Sequence, residues 1–241
     1  MAPLSIWVTG EPVPPATARA GSFADMIRAT TGAAWPGAWS VVDATDERAA
    51  LPAADDVSGV IVTGSPARIA DQLSWMRRVQ DALANLVDAN VPVLGICFGH
   101  QLLGMALGGR SGPNPRGREI GTVTLTLHAS DPVVNGPQSF PVSMTHLDVV
   151  RELPPGASVI ASTALDPYAA IRFAENAWGV QFHPEMDAEI IGDYIASLRD
   201  KLIGEGIDPD ALLASRRDTP HAARVLERFA ERAAARRSAE R

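Results

Sequence analysis

Val93-Leu94-Gly95-Ile96-Cys97-Phe98-Gly99-His100-Gln101 is the stretch of this 241-residue chain that decides its fold. Residues 91–96 form a compact apolar run without alternation, the pattern of a parallel strand covered on both faces. Residues 99–107 read as a helix, which Gly108-Gly109 ends. Cys97 therefore stands where a buried strand passes into a helix, with Gly95 and Gly99 two residues to either side. Small neighbours at that spacing let a strained turn push a nucleophile outward. A helix N-terminus favours a thiolate over a thiol, and the free amide of Phe98 can face a developing oxyanion. Alone, Cys97 reads as readily as a small buried hydrophobe at a strand end.

Upstream of this junction, residues 4–9, 39–42 and 57–62 are short apolar runs that read as strands. Residues 11–15 read as a Pro-rich turn and 23–30 as a helix. A second helix is expected to run from Ser74, as its cap, to about Asn90, with Met76, Val79, Leu83, Leu86 and Val87 on one face. Such alternation predicts an α/β fold, a doubly wound and mainly parallel central sheet flanked by helices. Downstream the chain is richer in strands, at 122–127, 142–144, 159–161, 169–173 and 178–182, and turns helical after Asp187. The segment 215–241 is rich in Arg, Ala and Glu, and Thr219-Pro220 offers a helix start. The expected organisation is one domain over 1–202 with a helical extension over 203–241.

Composition narrows the function. A formal net charge of −7 argues against a nucleic-acid binder. The single cysteine excludes an intramolecular disulfide and points to a reducing compartment. Residues 1–10 have no basic region ahead of their apolar stretch, unlike a signal peptide. No apolar run approaches ~18 residues, so no membrane span is expected and the expected location is the cytoplasm. Neither a Walker loop nor a GxGxxG fingerprint is present, and Arg116-Gly117-Arg118 alone is weak evidence for a phosphate site.

A cysteine nucleophile needs a base, and the base needs an orienting group. Trp178-Gly179-Val180-Gln181-Phe182-His183-Pro184-Glu185 offers both, since an apolar strand delivers His183 and Glu185 follows two residues on. By itself, His-Pro-Glu is an ordinary surface turn; joined to the cysteine junction it becomes a triad.

These two blocks, in this order, resemble the signature segments of class I glutamine amidotransferases over roughly residues 4–200. They most resemble stand-alone proteins like the amidotransferase half of guanylate (GMP) synthetase. The resemblance implies attack by Cys97 on a glutamine side-chain amide, a γ-glutamyl thioester, loss of ammonia, and hydrolysis assisted by His183, with Glu185 orienting it. It implies an oxyanion hole made by the amides of Phe98 and Gly64, although the chain has Thr63-Gly64 where the family often has two glycines. It further implies substrate contacts from Gln101 and from Thr145, His146 and Asp148, in a segment where Thr145 and Leu147 replace the family's serine and glycine. Glu119, in Gly117-Arg118-Glu119-Ile120-Gly121, is expected to order a loop beside the pocket. His146 and Asp148 also have the chemistry of metal ligands, but no third ligand is apparent, so no metal and no cofactor are expected. Four functions fit: an ammonia supplier to a synthetase partner; a free-standing hydrolase of γ-glutamyl peptides or amides; a non-catalytic interaction subunit; and a related redox or chaperone α/β protein. The intact triad speaks against the third, and the His-Pro-Glu block against the fourth.

Overall fold

Val93–Ile96 is hydrogen-bonded along both edges, parallel to Gly59–Val62 on one side and to Ala177–Val180 on the other. Its residues are also covered on both faces. Val93 packs in one apolar cluster with Trp7, Val60 and Val62, while Leu94 and Ile96 pack in another with Leu4, Ile6 and Ile61. Double coverage explains the unbroken apolarity of the run.

The computed structural model describes residues 2–239. Met1, Glu240 and Arg241, which the signal-peptide and extension readings include, lie outside the described residues. The strands are β1 (Leu4–Val8), β2 (Trp39–Asp43), β3 (Gly59–Val62), β4 (Val93–Ile96), β5 (Arg110–Pro113), β6 (Glu119–Leu127), β7 (Ser139–His146), β8 (Asp148–Glu152), β9 (Ser158–Ser162), β10 (Ala170–Ala174) and β11 (Ala177–Val180). The helices are α1 (Pro14–Ala20), α2 (Phe23–Thr31), α3 (Ser74–Asp88), α4 (Phe98–Ala106), α5 (Ala188–Ser197), α6 (Arg199–Gly204), α7 (Pro209–Ser215) and α8 (Pro220–Ala239). One sheet runs β2-β1-β3-β4-β11-β10-β9-β6-β7. Its first five strands are mutually parallel and form the expected doubly wound centre, with α3 and α4 on one face and α2 and α8 on the other. From β11 outward, β10, β9, β6 and β7 continue it antiparallel. Among the described residues no helix is long and apolar enough to cross a membrane.

Three local expectations are corrected. The Pro-rich turn at 11–15 already contains the start of α1, because proline at the first helical positions gives up no needed N–H. Ser74 does not cap α3: it is the first helical residue, Leu73 precedes it, and the Ser74 hydroxyl bonds Glu47 instead. The small antiparallel pair β5–β8 was not anticipated, since its strands carry Arg110, Gly112, Pro113, Arg151 and Glu152 and read as loop.

The chain after residue 202 is woven into the main body. The expected boundary at 202/203 falls inside α6. Ala222, Val225, Leu226, Phe229, Ala230 and Ala233 of α8 are fully buried in the cluster that holds Leu4, Ile6 and Trp178. The Phe229 and Trp178 rings meet edge-on with centroids 6.3 Å apart. Phe229→Ala should therefore cost about 3–5 kcal/mol of unfolding free energy, the range for a truncated core aromatic. Denaturant titration checks this; a loss below about 1 kcal/mol would mean that α8 is merely attached.

Candidate active site

The parallel strands β1, β3, β4 and β11 deliver their C-terminal ends side by side, the edge where open α/β sheets gather ligands. Thr9, Thr63-Gly64, Cys97 and Gln181–His183 follow those ends. Cys97 has φ 51° and ψ −100°, in the left-handed half of backbone space that costs a non-glycine residue about 1–3 kcal/mol. Its N–H donates to Val180 O (2.8 Å), and the N–H of Gly99 donates to Thr63 O (3.1 Å), so both sides of the turn are tied to neighbouring strands. A Cβ on Gly95 would collide with Gly99 O, and one on Gly99 would collide with Val62 O. Both glycines are thus steric requirements of the turn. Phe98 is the first residue of α4, and its N–H belongs to the amides that a helix leaves without an internal acceptor.

His183 is held from behind. Its Nδ1 lies 2.7 Å from Glu185 Oε1, its backbone N–H donates to Ser143 O (2.9 Å), and its ring stacks on Phe23 with centroids 6.1 Å apart. Both His183 and Glu185 are buried. The other nitrogen, Nε2, is buried without a well-formed hydrogen bond among the described residues and is left to interact with Cys97. Burial, the largest single influence, disfavours a charged ring, but Glu185 and Cys97 together outweigh it and hold the His183 pKa up at about 10. A Cβ on Gly64 would sit 2.8 Å from His183 Cε1, so only glycine lets the ring approach this loop.

Two residues that sequence reasoning passed over steady the centre. Thr9 Oγ1 lies 3.0 Å from the carbonyl oxygens of both Thr63 and Gly64, and the Thr9 N–H donates to Thr63 Oγ1 (3.0 Å). These bonds fix the Thr63–Gly64 peptide, and with it the direction of the Gly64 N–H. Gln181 donates from Nε2 to Cys97 Sγ (3.4 Å) and accepts from Gln101 Nε2 (3.1 Å). A fully buried glutamine inside the apolar run 178–182 was the available signal.

A cavity of about 240 Å³ opens over the sulfur. Cys97, Phe98, His183, Gln101, Thr145, His146 and Asp148 line it; Glu185 and Gly64 stand behind this lining. Gln101 donates to Asp148 O (2.6 Å), so its amide also shapes the wall. The His146 ring is held between Glu119 Oε2 (3.1 Å) and Asp148 O (3.2 Å), and Thr163 Oγ1 donates to the same Glu119 oxygen (2.8 Å). Glu119 thus ties strands together. The arginine pair noted in the sequence is used internally: Arg118 forks onto Glu205 (2.7 and 3.1 Å) and Arg116 donates to Ala164 O (2.8 Å). No group of three or more His, Cys, Asp or Glu converges on a metal position among the described residues.

Comparison with known proteins bears on this geometry directly. The family model for glutamine amidotransferase class-I matches residues 38–199. A glutamine-hydrolysing GMP synthase from Thermomicrobium roseum is 40% identical over 143 residues, which cover 57% of this chain and 25% of that protein. One separately encoded subunit of the glutamine-hydrolysing GMP synthase from Pyrococcus abyssi is 35% identical over 150 residues, covering 61% of this chain and 77% of that protein. The chain spans only about a quarter of the single-chain GMP synthases it matches. Among solved structures, a glutamine amidotransferase from Thermotoga maritima superposes with a TM-score of 0.72 at 20% identity, covering 97% of this chain and 99% of the other. One from Methylobacillus flagellatus gives 0.71 at 23% identity, covering 98% and 94%; both likenesses speak to the fold. With the family's pattern matched across most of the sheet and both catalytic-type segments, the chain belongs to the class I glutamine amidotransferases.

Proposed function

We propose that this chain hydrolyses the side-chain amide of glutamine, or a related γ-glutamyl amide, through a thioester on Cys97. The observation that carries the reading is His183, clamped by Glu185 on one nitrogen and turned with the other toward a cysteine on a strained strand-to-helix turn. The Cys97 thiolate attacks the amide carbon, and the Phe98 and Gly64 N–H groups receive the oxyanion. The His183 imidazolium gives its proton to the departing nitrogen, and ammonia leaves a γ-glutamyl thioester. Neutral His183 then takes a proton from water, whose attack releases glutamate and restores the thiolate–imidazolium pair. Glu185 keeps the ring oriented throughout, while Gln101, Thr145, His146 and Asp148 wall the end of the cavity that takes the amino-acid part.

Residues 1–202 carry this chemistry in our reading, and residues 203–241 support it by packing. The likeness to a separate GMP synthase subunit supports an ammonia-consuming synthetase as partner protein. The second reading, a free-standing γ-glutamyl peptide hydrolase, uses the same steps with a larger amine leaving.

Cys97→Ser should abolish release of ammonia from glutamine with little loss of stability, because the swap is nearly isosteric. Glu185→Gln should retain some activity, falling about 10²-fold as an oriented base is lost. Assays of glutamate, ammonia and amine over glutamine and γ-glutamyl dipeptides check both. Undiminished hydrolysis by Cys97→Ser would sink the mechanism, and turnover of dipeptides without glutamine would transfer the assignment to the peptidase.

The His183 ring supplies a second check. Its pKa is raised from 6.5 to about 10, so its contribution to stability is fully present below about pH 6.5 and is lost as pH rises through about 10. Nuclear magnetic resonance of labelled histidine should find the folded-state midpoint well above 6.5, and Glu185→Gln should lower it. An unshifted midpoint would contradict the clamp.

A further inference from the structure

Arg68 and Asp148 meet across the mouth of the cavity, 80 residues apart in sequence. Arg68 lies on the loop beyond Gly64, and Asp148 opens β8. Arg68 donates from Nε to Asp148 Oδ2 (3.0 Å) and from a terminal nitrogen to Oδ1, the forked geometry of a strong guanidinium–carboxylate pair. The pair is fixed on both sides. Gln101 donates to Asp148 O (2.6 Å), and the Arg68 N–H donates to Asp71 Oδ2 (2.9 Å).

Its two halves face the cavity unequally, since the side chain of Asp148 is 5% exposed and that of Arg68 is 40% exposed. A guanidinium has five N–H donors in a rigid fork, so the pair with Asp148 leaves several free on the more open side. Of the other two cations lining the cavity, Arg118 is already forked onto Glu205, and Lys201 stands on the exposed face of α6. A carboxylate with spare lone pairs beside a guanidinium with spare donors complements a zwitterion, whose ammonium and carboxylate are adjacent in the same way.

Resting on the amidotransferase reading above, we propose that Arg68 determines specificity by recognising the free α-carboxylate of the γ-glutamyl substrate, while Asp148 receives its ammonium. Substrates with a neutral group at that position are disfavoured. The segment 145–148 alone supplies no cation for this task, which is why a residue from the opposite loop is needed.

The test is calorimetric and needs no turnover. Cys97→Ala protein is titrated with L-glutamine and with L-glutaminamide, in which a neutral carboxamide replaces the α-carboxylate. The same titrations are made after Arg68→Gln, Arg68→Lys or Lys201→Gln is added. Glutamine should bind about 10–100-fold more tightly than glutaminamide, the range for one hydrogen-bonded charge. Arg68→Gln should shrink that ratio to within about threefold by weakening glutamine selectively, Arg68→Lys should restore part of it, and Lys201→Gln should leave it unchanged. A purely structural role for the pair would weaken both ligands together and leave the ratio intact, overturning the proposal. So would a ratio erased by Lys201→Gln instead. If no variant binds either ligand, the amidotransferase reading falls with it; if Arg68 protein that is otherwise intact binds both ligands equally, only the Arg68 assignment falls.

Discussion

The turn at Cys97 is the constraint on which the rest depends. A strand buried on both faces must reverse into a helix within one residue, and that residue takes φ 51° although it is not glycine. Such strain of about 1–3 kcal/mol persists only when the surroundings over-determine it. Here they do so through Val180 O and Thr63 O, which hold the amides on either side, and through Gly95 and Gly99, where any side chain would strike backbone. The result is a sulfur at the base of a cavity and an uncommitted amide at Phe98. Neither would exist if the strand ran on or the helix began a residue later.

What surrounds the turn follows from the sheet. Because β3, β4 and β11 are parallel neighbours, their ends bring Gly64, Cys97 and His183 to one edge without any long-range search by loops. The electrostatics then resolve a conflict. His183 is buried, which disfavours charge, yet Glu185 at 2.7 Å and Cys97 on the other side reverse the balance. A buried imidazolium between two anionic partners is stable only while both remain, so the pair is poised to change protonation when the sulfur becomes acylated. Packing of α8 behind β1 and β11 makes the floor of this arrangement stiff.

The parallel centre was legible because its strands are apolar without interruption and its helices carry stripes at helical spacing. Cys97, Gly95, Gly99, His183 and Glu185 were legible because they are close in sequence to the elements that hold them. The parts that were not legible are of two kinds. Weakly patterned segments such as β5 and β8 gain their order from pairing with each other, and α1 hid behind prolines that read as a turn. Residues that act across long separations left almost no local mark: Thr9 on the Thr63–Gly64 loop, Arg68 on Asp148, and Glu119 beneath His146. Gln181 is intermediate, a polar residue in an apolar run that could have been questioned.

The central claim is that Cys97 is an activated nucleophile in a pocket shaped for the γ-glutamyl group. Treating the protein near neutral pH with a chloroketone analogue of glutamine, with and without added glutamine, and locating the adduct by mass spectrometry tests it most directly. The account predicts rapid labelling confined to Cys97, slowed by glutamine and by loss of His183. Labelling that is slow, and indifferent both to glutamine and to His183→Ala, would contradict it and leave Cys97 as a buried thiol at the end of a strand.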